Sequence, residues 1–239
     1  MSKPFHFKEF TVHQDKSAMK VGTDAVLLGA WCRADFPNTI LDIGAGTGVI
    51  ALQLAQRFDA ETIDAVELDE NAYEQTVENF EQSDWSDRLY GYHASFQEFA
   101  DELADEEETY DLIVSNPPFY TDEFETQNQA RNKARFTSSL SFESLLLGVV
   151  KILSESGTFS TIIPFKEEPY LLGLAVKNGL FLNRVCHVKG NTTSPIKRSL
   201  LEFSFKDSEI LTEELTIEME RHLYTQAYRH LMKDFYLKM

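Results

Sequence analysis

The sequence predicts an α/β fold of the doubly wound kind: a mostly parallel sheet with helices on both faces. Three observations lead there. From Thr39 onward, short apolar runs rich in β-branched residues alternate with longer segments whose apolar residues recur at helical spacing. A glycine-rich turn, Gly44-Ala-Gly46-Thr-Gly48, lies at the first strand-to-helix junction. The chain is also long enough, at 239 residues with 43% hydrophobic side chains, to bury a sizeable core.

The elements follow in order. Residues 39–43 (Thr-Ile-Leu-Asp-Ile) read as a strand and 49–57 as a helix. Residues 63–66 form the next strand, and 70–80 the next helix, with Ala72, Tyr73, Thr76, Val77 and Phe80 at helical spacing. A short strand at 89–92, a helix at 96–103 and a strand at 110–115 continue the rhythm. Helices at 142–153 and 168–178 alternate with strands at 158–164 and 181–188. Residues 200–205 read as a final strand and 213–235 as a terminal helix. Two segments stand apart: an aromatic N-terminal region over 5–28, with a helix beginning at Asp24, and a polar stretch over 120–140 that is long for an inert connection and is a candidate substrate loop. The expected organisation is a single domain over 1–239, with 1–33 as an N-terminal extension and 34–239 as the core.

Composition narrows the function classes. The chain carries 39 acidic and 22 basic side chains, a formal charge of −17, yet its 12% aromatic content is too high for a solvating disordered acid. Such a charge argues against a polyanionic partner, since phosphate neutralisation dominates nucleic-acid affinity. Its distribution weakens that argument. Residues 34–130 hold 24 acidic and two basic side chains, whereas 1–33 hold five basic against three acidic and 131–239 hold fifteen against twelve. Cys32 and Cys186 match no metal-ligand spacing and read as reduced thiols. The first ten residues lack the apolar core of a signal peptide, and the longest apolar run, 25–32, has eight residues, so a cytoplasmic protein without membrane span or metal is expected.

The glycine turn restricts the ligand. In Leu41-Asp42-Ile-Gly44-Ala-Gly46-Thr-Gly48 a dinucleotide fingerprint would need its third glycine at Val49, and a phosphate-binding loop would need a lysine at the helix start. Both are absent. Asp42 at the strand end would repel a pyrophosphate and favours a cation, and S-adenosyl-L-methionine, with an ammonium and a sulfonium, satisfies this. Glu67, ending the second strand with Leu68 after it, can accept hydrogen bonds from both hydroxyls of a ribose. Ser95 follows the third strand at the same sheet edge and is a further candidate cofactor contact.

The second motif is Ser115-Asn116-Pro117-Pro118-Phe119-Tyr120. Two prolines fix φ and hold Asn116 at the carboxyl edge of the sheet, the usual crevice of an open α/β fold. The lone pair of a planar amino nitrogen is delocalised and hard to methylate. Hydrogen bonds from its N–H groups to the Asn116 side-chain oxygen and the Pro117 carbonyl would orient it and increase its electron density, and Phe119 would stack on the base. Catalysis would rest on positioning and electrostatics.

This pair of motifs resembles the class I S-adenosylmethionine-dependent methyltransferases that act on planar amino nitrogens. A closer resemblance begins with Phe10-x-Val12 and Met19-Lys-Val-Gly-Thr-Asp24-Ala-Val-Leu-Leu-Gly-Ala-Trp31 and extends to Ala134-Arg135, Pro195-Ile-Lys197-Arg198-x-Leu-Leu-Glu202 and the tail from Tyr224 to Leu237. It is to the bacterial tRNA adenine-N6 methyltransferases that modify valine tRNA at the adenosine 3′ to the anticodon. The resemblance implies a Rossmann-like sheet of seven strands, the last antiparallel. It also implies that Lys20, Gly22, Thr23 and Asp24 pack beside the methionine end of the cofactor. The basic residues Arg131, Lys133 and Arg135, after the second motif, together with Lys197 and Arg198, are candidate RNA contacts, few enough to make binding local and salt-sensitive.

Other readings fit less well. Glutamine-N5 methyltransferases carry Tyr where this chain has Phe119, and guanine-N2 methyltransferases bring a second domain for which the length leaves no room. A cofactor-binding regulator without catalysis would need a spoiled Asn116 site, and a dehydrogenase fails at Val49. His93, His222 and His230 lack partners at ligand spacing, the latter two being placed eight apart on the terminal helix, and 235–237 reads as a docking face of that helix.

Overall fold

The computed structural model describes residues 3–117 and 140–239. A short antiparallel hairpin, β1 (Phe5–His6) and β2 (Thr11–Val12), precedes α1 (Thr23–Trp31). The alternation then runs β3 (Thr39–Ile43), α2 (Val49–Arg57), β4 (Thr62–Glu67), α3 (Glu70–Glu81), β5 (Leu89–His93), α4 (Phe96–Asp105) and β6 (Tyr110–Ser115). After the loop come α5 (Phe142–Ile152), β7 (Leu153–Pro164), a 3-10 turn (Phe165–Glu167), α6 (Glu168–Lys177), β8 (Phe181–Asn191) and β9 (Ile196–Ser204). The chain ends with β10 (Leu211–Glu220), β11 (Leu223–Tyr224) and α7 (Gln226–Met232).

Among the described residues the main sheet has nine strands in the order β11-β10-β8-β9-β7-β6-β3-β4-β5. Strands β3 to β7 are mutually parallel, and β9 inserts antiparallel between β7 and β8. Strand order reverses at β3, so the carboxyl ends of β3 and β6 open the crevice at which such sheets bind ligands. Alternate residues feed opposite cores. Ile40, Leu112 and Val114 face α1, α2 and the N-terminal aromatics, whereas Leu41, Ile43 and Ile113 face α4, α5 and α6.

Two expectations are corrected. Among the described residues the sheet has nine strands where seven were expected: β3 to β9 are seven with the last antiparallel, and β10 and β11 extend the edge beyond β8; and residues 213–235 do not form one helix. In β10 Leu215, Ile217 and Met219 alternate with Thr216, Glu218 and Glu220, a period of two that suits a strand laid parallel on β8. Only Gln226–Met232 is helical, so His222, in the turn before β11 with φ +66°, and His230 do not share a helix. The tail over 235–237 is likewise no helical docking face: Phe235 is buried, and Tyr236 bridges to Phe7 with their rings stacked at 5.8 Å. Among the described residues, no helix is long and apolar enough to cross a membrane.

Candidate functional site

The glycine turn follows from strand geometry. Gly44, Gly46 and Gly48 all sit at positive φ, +73°, +62° and +74°, where a Cβ is strained. They differ in what a side chain would meet. An added Cβ at Gly44 or Gly46 finds no atom within 4 Å, so these two leave the backbone open to a ligand. At Gly48 it would lie 2.7 Å from the Phe80 ring, so this glycine serves the packing of α2 against α3.

Beneath the turn lies Asp42, fully buried. Its Oδ2 accepts the Ala51 backbone N–H at 3.2 Å, placing a carboxylate at the positive end of α2. Its Oδ1 has no hydrogen-bond partner among the described residues. Burial pushes its pKa up to about 7, the Ala51 bond opposing this and the Glu67 charge adding to it. Asp42 thus sits under the turn with one oxygen uncommitted, in surroundings that favour its neutral form until a cation approaches.

Glu67 borders the same turn. Its Oε2 accepts the Gly46 N–H and its Oε1 the Asp69 N–H, each at 2.8 Å, so the carboxylate stitches the turn to the start of α3. Each oxygen retains a second lone pair for a hydroxyl. Beside it Leu68 is half exposed, and His93, whose ring stacks on Tyr73 with centroids 5.3 Å apart, contacts the Leu68 carbonyl through Nε2 at 3.1 Å. Ser95 is the N-cap of α4: its Oγ accepts from the Glu98 N–H and donates to the Glu98 carboxylate at 2.7 Å. That hydroxyl is committed to the helix end.

Across the switch point, β6 delivers Asn116. Ser115 is buried and donates to the Ile43 carbonyl at 3.0 Å, while Thr161 donates to the Ser115 carbonyl at 2.8 Å. These bonds clamp the end of β6 to both neighbours, leaving Asn116 partly exposed and Pro117 buried just beyond it. Pro118, Phe119, Arg131, Lys133 and Arg135 lie outside the described residues.

The N-terminal segment is fastened to this edge through two buried amides. Asn79 takes the His13 N–H on Oδ1 and gives its amide protons to the His13 and Thr47 carbonyls, and Gln75 accepts the Lys16 N–H. Gln75 and Asn79 were not among the expected site residues. Their signal was present as two polar side chains four apart on the inner face of α3. Lys20 donates its ammonium to the Gln14 and Ser17 carbonyls and so shapes its own loop. Gly22 precedes α1 as its N-cap and Thr23 is exposed. Asp24 pairs with Arg198 at 2.7 Å, which joins an expected cofactor residue to an expected RNA residue, while Lys197 is exposed. Among the described residues no group of three or more His, Cys, Asp or Glu side chains is placed to hold a metal ion.

An open glycine cradle, an unpartnered buried carboxylate oxygen beneath it and an acidic side chain at the next strand end fit a cationic nucleoside such as S-adenosylmethionine. With the strand order, they define a class I methyltransferase. The fold is shared by a predicted O-methyltransferase from Agrobacterium tumefaciens, TM-score 0.65 at 18% identity over 89% of this chain and 96% of that one. It is shared also by a ribosomal protein L11 methylase from Lactobacillus delbrueckii, TM-score 0.53 at 17% identity over 77% of each chain. The family model for the Methyltransferase small domain matches residues 16–136. The chain is 54% identical to a tRNA1(Val) (adenine(37)-N6)-methyltransferase of Christiangramia forsetii over 100% of this chain and 99% of that protein. A Bacteroides fragilis protein of the same name is 43% identical over the full length of both. The chain belongs to the tRNA1(Val) (adenine(37)-N6)-methyltransferase family.

Proposed function

We propose that this protein transfers the methyl group of S-adenosylmethionine to N6 of adenine 37 in tRNA1(Val). The observation that carries this reading is Asn116, directly after the clamped Ser115 at the end of β6 and across the switch point from the open Gly44–Gly46 cradle, in a chain alike over its full length to relatives of that name. When bound, S-adenosylmethionine supplies an electrophilic methyl carbon. Gly44 and Gly46 would admit it against bare backbone, Glu67 would hold its ribose and Asp42 would balance its positive charge. Leu68 offers an apolar surface to the adenine ring.

Asn116 accepts an N–H of the target amino group on its side-chain oxygen, and the Pro117 carbonyl accepts the other. This fixes the nitrogen and raises its electron density as its bond to carbon forms; the carbon–sulfur bond breaks with its electron pair left on sulfur, and the nitrogen releases one proton to solvent. A site that works this way needs the target base out of its stack. Phe119 is assigned the stacking role, and Arg131, Lys133, Arg135 and Lys197 the phosphate contacts. Because Arg198 is already paired with Asp24, its part is to brace the N-terminus of α1 beside the pocket. We place the enzyme in the cytoplasm with its tRNA and read the chain as one domain acting as a monomer.

The test is methylation of total tRNA from a strain lacking the gene, with the modified position mapped. Methyl on N6 of adenine 37 in valine tRNA supports the reading. Methyl on protein glutamine and none on tRNA overturns it.

A further inference from the structure

A second surface stands at the same sheet edge, one strand beyond Asn116, and the reaction described above does not use it. Strand β7 is parallel to β6 with Ser115 level with Thr161, so Phe165, just past the end of β7, lies about 10 Å further along the strand direction and one strand spacing, about 5 Å, to the side. That puts Phe165 at the same sheet edge as Asn116, within reach of the nucleotides that flank a base held there. Phe165 is 39% exposed.

Its surroundings are built. The ring meets His187 of β8 edge to face, with centroids 5.2 Å apart at 86°. His187 Nε2 contacts Glu168 Oε2 at 2.9 Å, and the same oxygen accepts the hydroxyl of Ser199, a fully buried residue of β9 directly opposite His187. Three elements, β8, β9 and α6, thus converge to hold one imidazole, and the imidazole holds one exposed phenyl ring. Pro164 pairs with Arg198 across β7 and β9, so the exposed Lys197, the next residue along β9, stands at the same sheet edge. A partly exposed aromatic ring, fixed from behind at an edge that also carries an exposed lysine, is what a nucleobase and its phosphate recognise.

We propose that Phe165 stacks on the base adjoining the methylated adenine, with His187 as the residue that positions it. The inference rests on tRNA being the substrate. In steady-state assays with an anticodon stem-loop, Phe165→Ala raises KM for RNA about tenfold, the size of one base–aromatic stack, and leaves kcat and KM for S-adenosylmethionine unchanged. Phe165→Trp restores KM and Phe165→Leu does not. With a stem-loop made abasic at the adjoining position, wild type and Phe165→Ala become equal. His187→Ala raises KM for RNA by a smaller factor and adds nothing in the Phe165→Ala background. An unchanged KM, rescue by leucine, a difference that persists on stem-loops abasic on either side of the adenine, or additivity of the two substitutions overturns the proposal. Failure of the wild-type enzyme to methylate the stem-loop would instead overturn the substrate assignment.

Discussion

Replacing Asp42 by asparagine separates stability from function. In the folded protein the carboxyl titrates at about 7 against 3.8 in a free chain. At about 1.4 kcal/mol for each tenfold change in proton affinity, ionising Asp42 in place costs about 4 kcal/mol. The sign follows from the raised pKa. The folded state holds the proton longer, so the contribution of Asp42 to stability is greatest below about pH 4, falls as pH rises toward 7, and is constant above. The asparagine of the Asp42→Asn variant would keep an acceptor for the Ala51 N–H but would bury an amide beside the unpartnered position, at about 1 to 3 kcal/mol independent of pH. The absolute difference between variant and wild type is therefore modest, and its pH dependence is the informative quantity. Urea unfolding followed by fluorescence should show the variant gaining about 2 kcal/mol on wild type between pH 5.5 and 8, with no further gain above. Asp64, raised to about 6 by burial, titrates in both proteins and cancels. The variant should also lose affinity for S-adenosylmethionine, and the wild-type affinity should rise with pH toward 7 as Asp42 ionises. A stability difference that does not change with pH would refute the buried-charge argument.

Three further outcomes follow. Gly46→Ala should cost about 1 kcal/mol of stability from backbone strain while weakening cofactor binding, whereas Gly48→Ala, facing Phe80, should cost about 2 to 3 kcal/mol; melting and calorimetric titration measure the pair, and equal stability losses would contradict the distinct roles. Glu67→Ala should weaken S-adenosylmethionine binding by tenfold or more, since it removes the ribose acceptor and the Gly46 tether, and unchanged affinity by titration would remove Glu67 from the site. Asn116→Ala should abolish methyl transfer while cofactor affinity stays within about tenfold; an equal loss of both would make Asn116 a cofactor residue.

Much of the fold was legible because β3 to β9 and their helices carry local signals: β-branched runs, helical spacing, a glycine turn and a double proline. Where charged residues alternate with apolar ones, as in β10, composition suggested a helix and only the period of two revealed a strand. The positions of Asp42, Glu67 and Asn116 at neighbouring strand ends could be read from their motifs. Their environments could not. That Asp42 is sealed from solvent, that Glu67 is tied to Gly46, and that Gln75 and Asn79 anchor the N-terminal segment depend on contacts between residues far apart in the chain. The Asp24–Arg198 pair, which unites two segments assigned to different ligands, is of the same kind.

The central claim is tested most directly by mass spectrometry of nucleosides after incubating the full-length protein and S-adenosylmethionine with a tRNA1(Val) transcript and with the same transcript carrying guanine at position 37. The account predicts N6-methyladenosine in the first and none in the second. Its absence from the first, or its equal presence in both, would contradict the assignment.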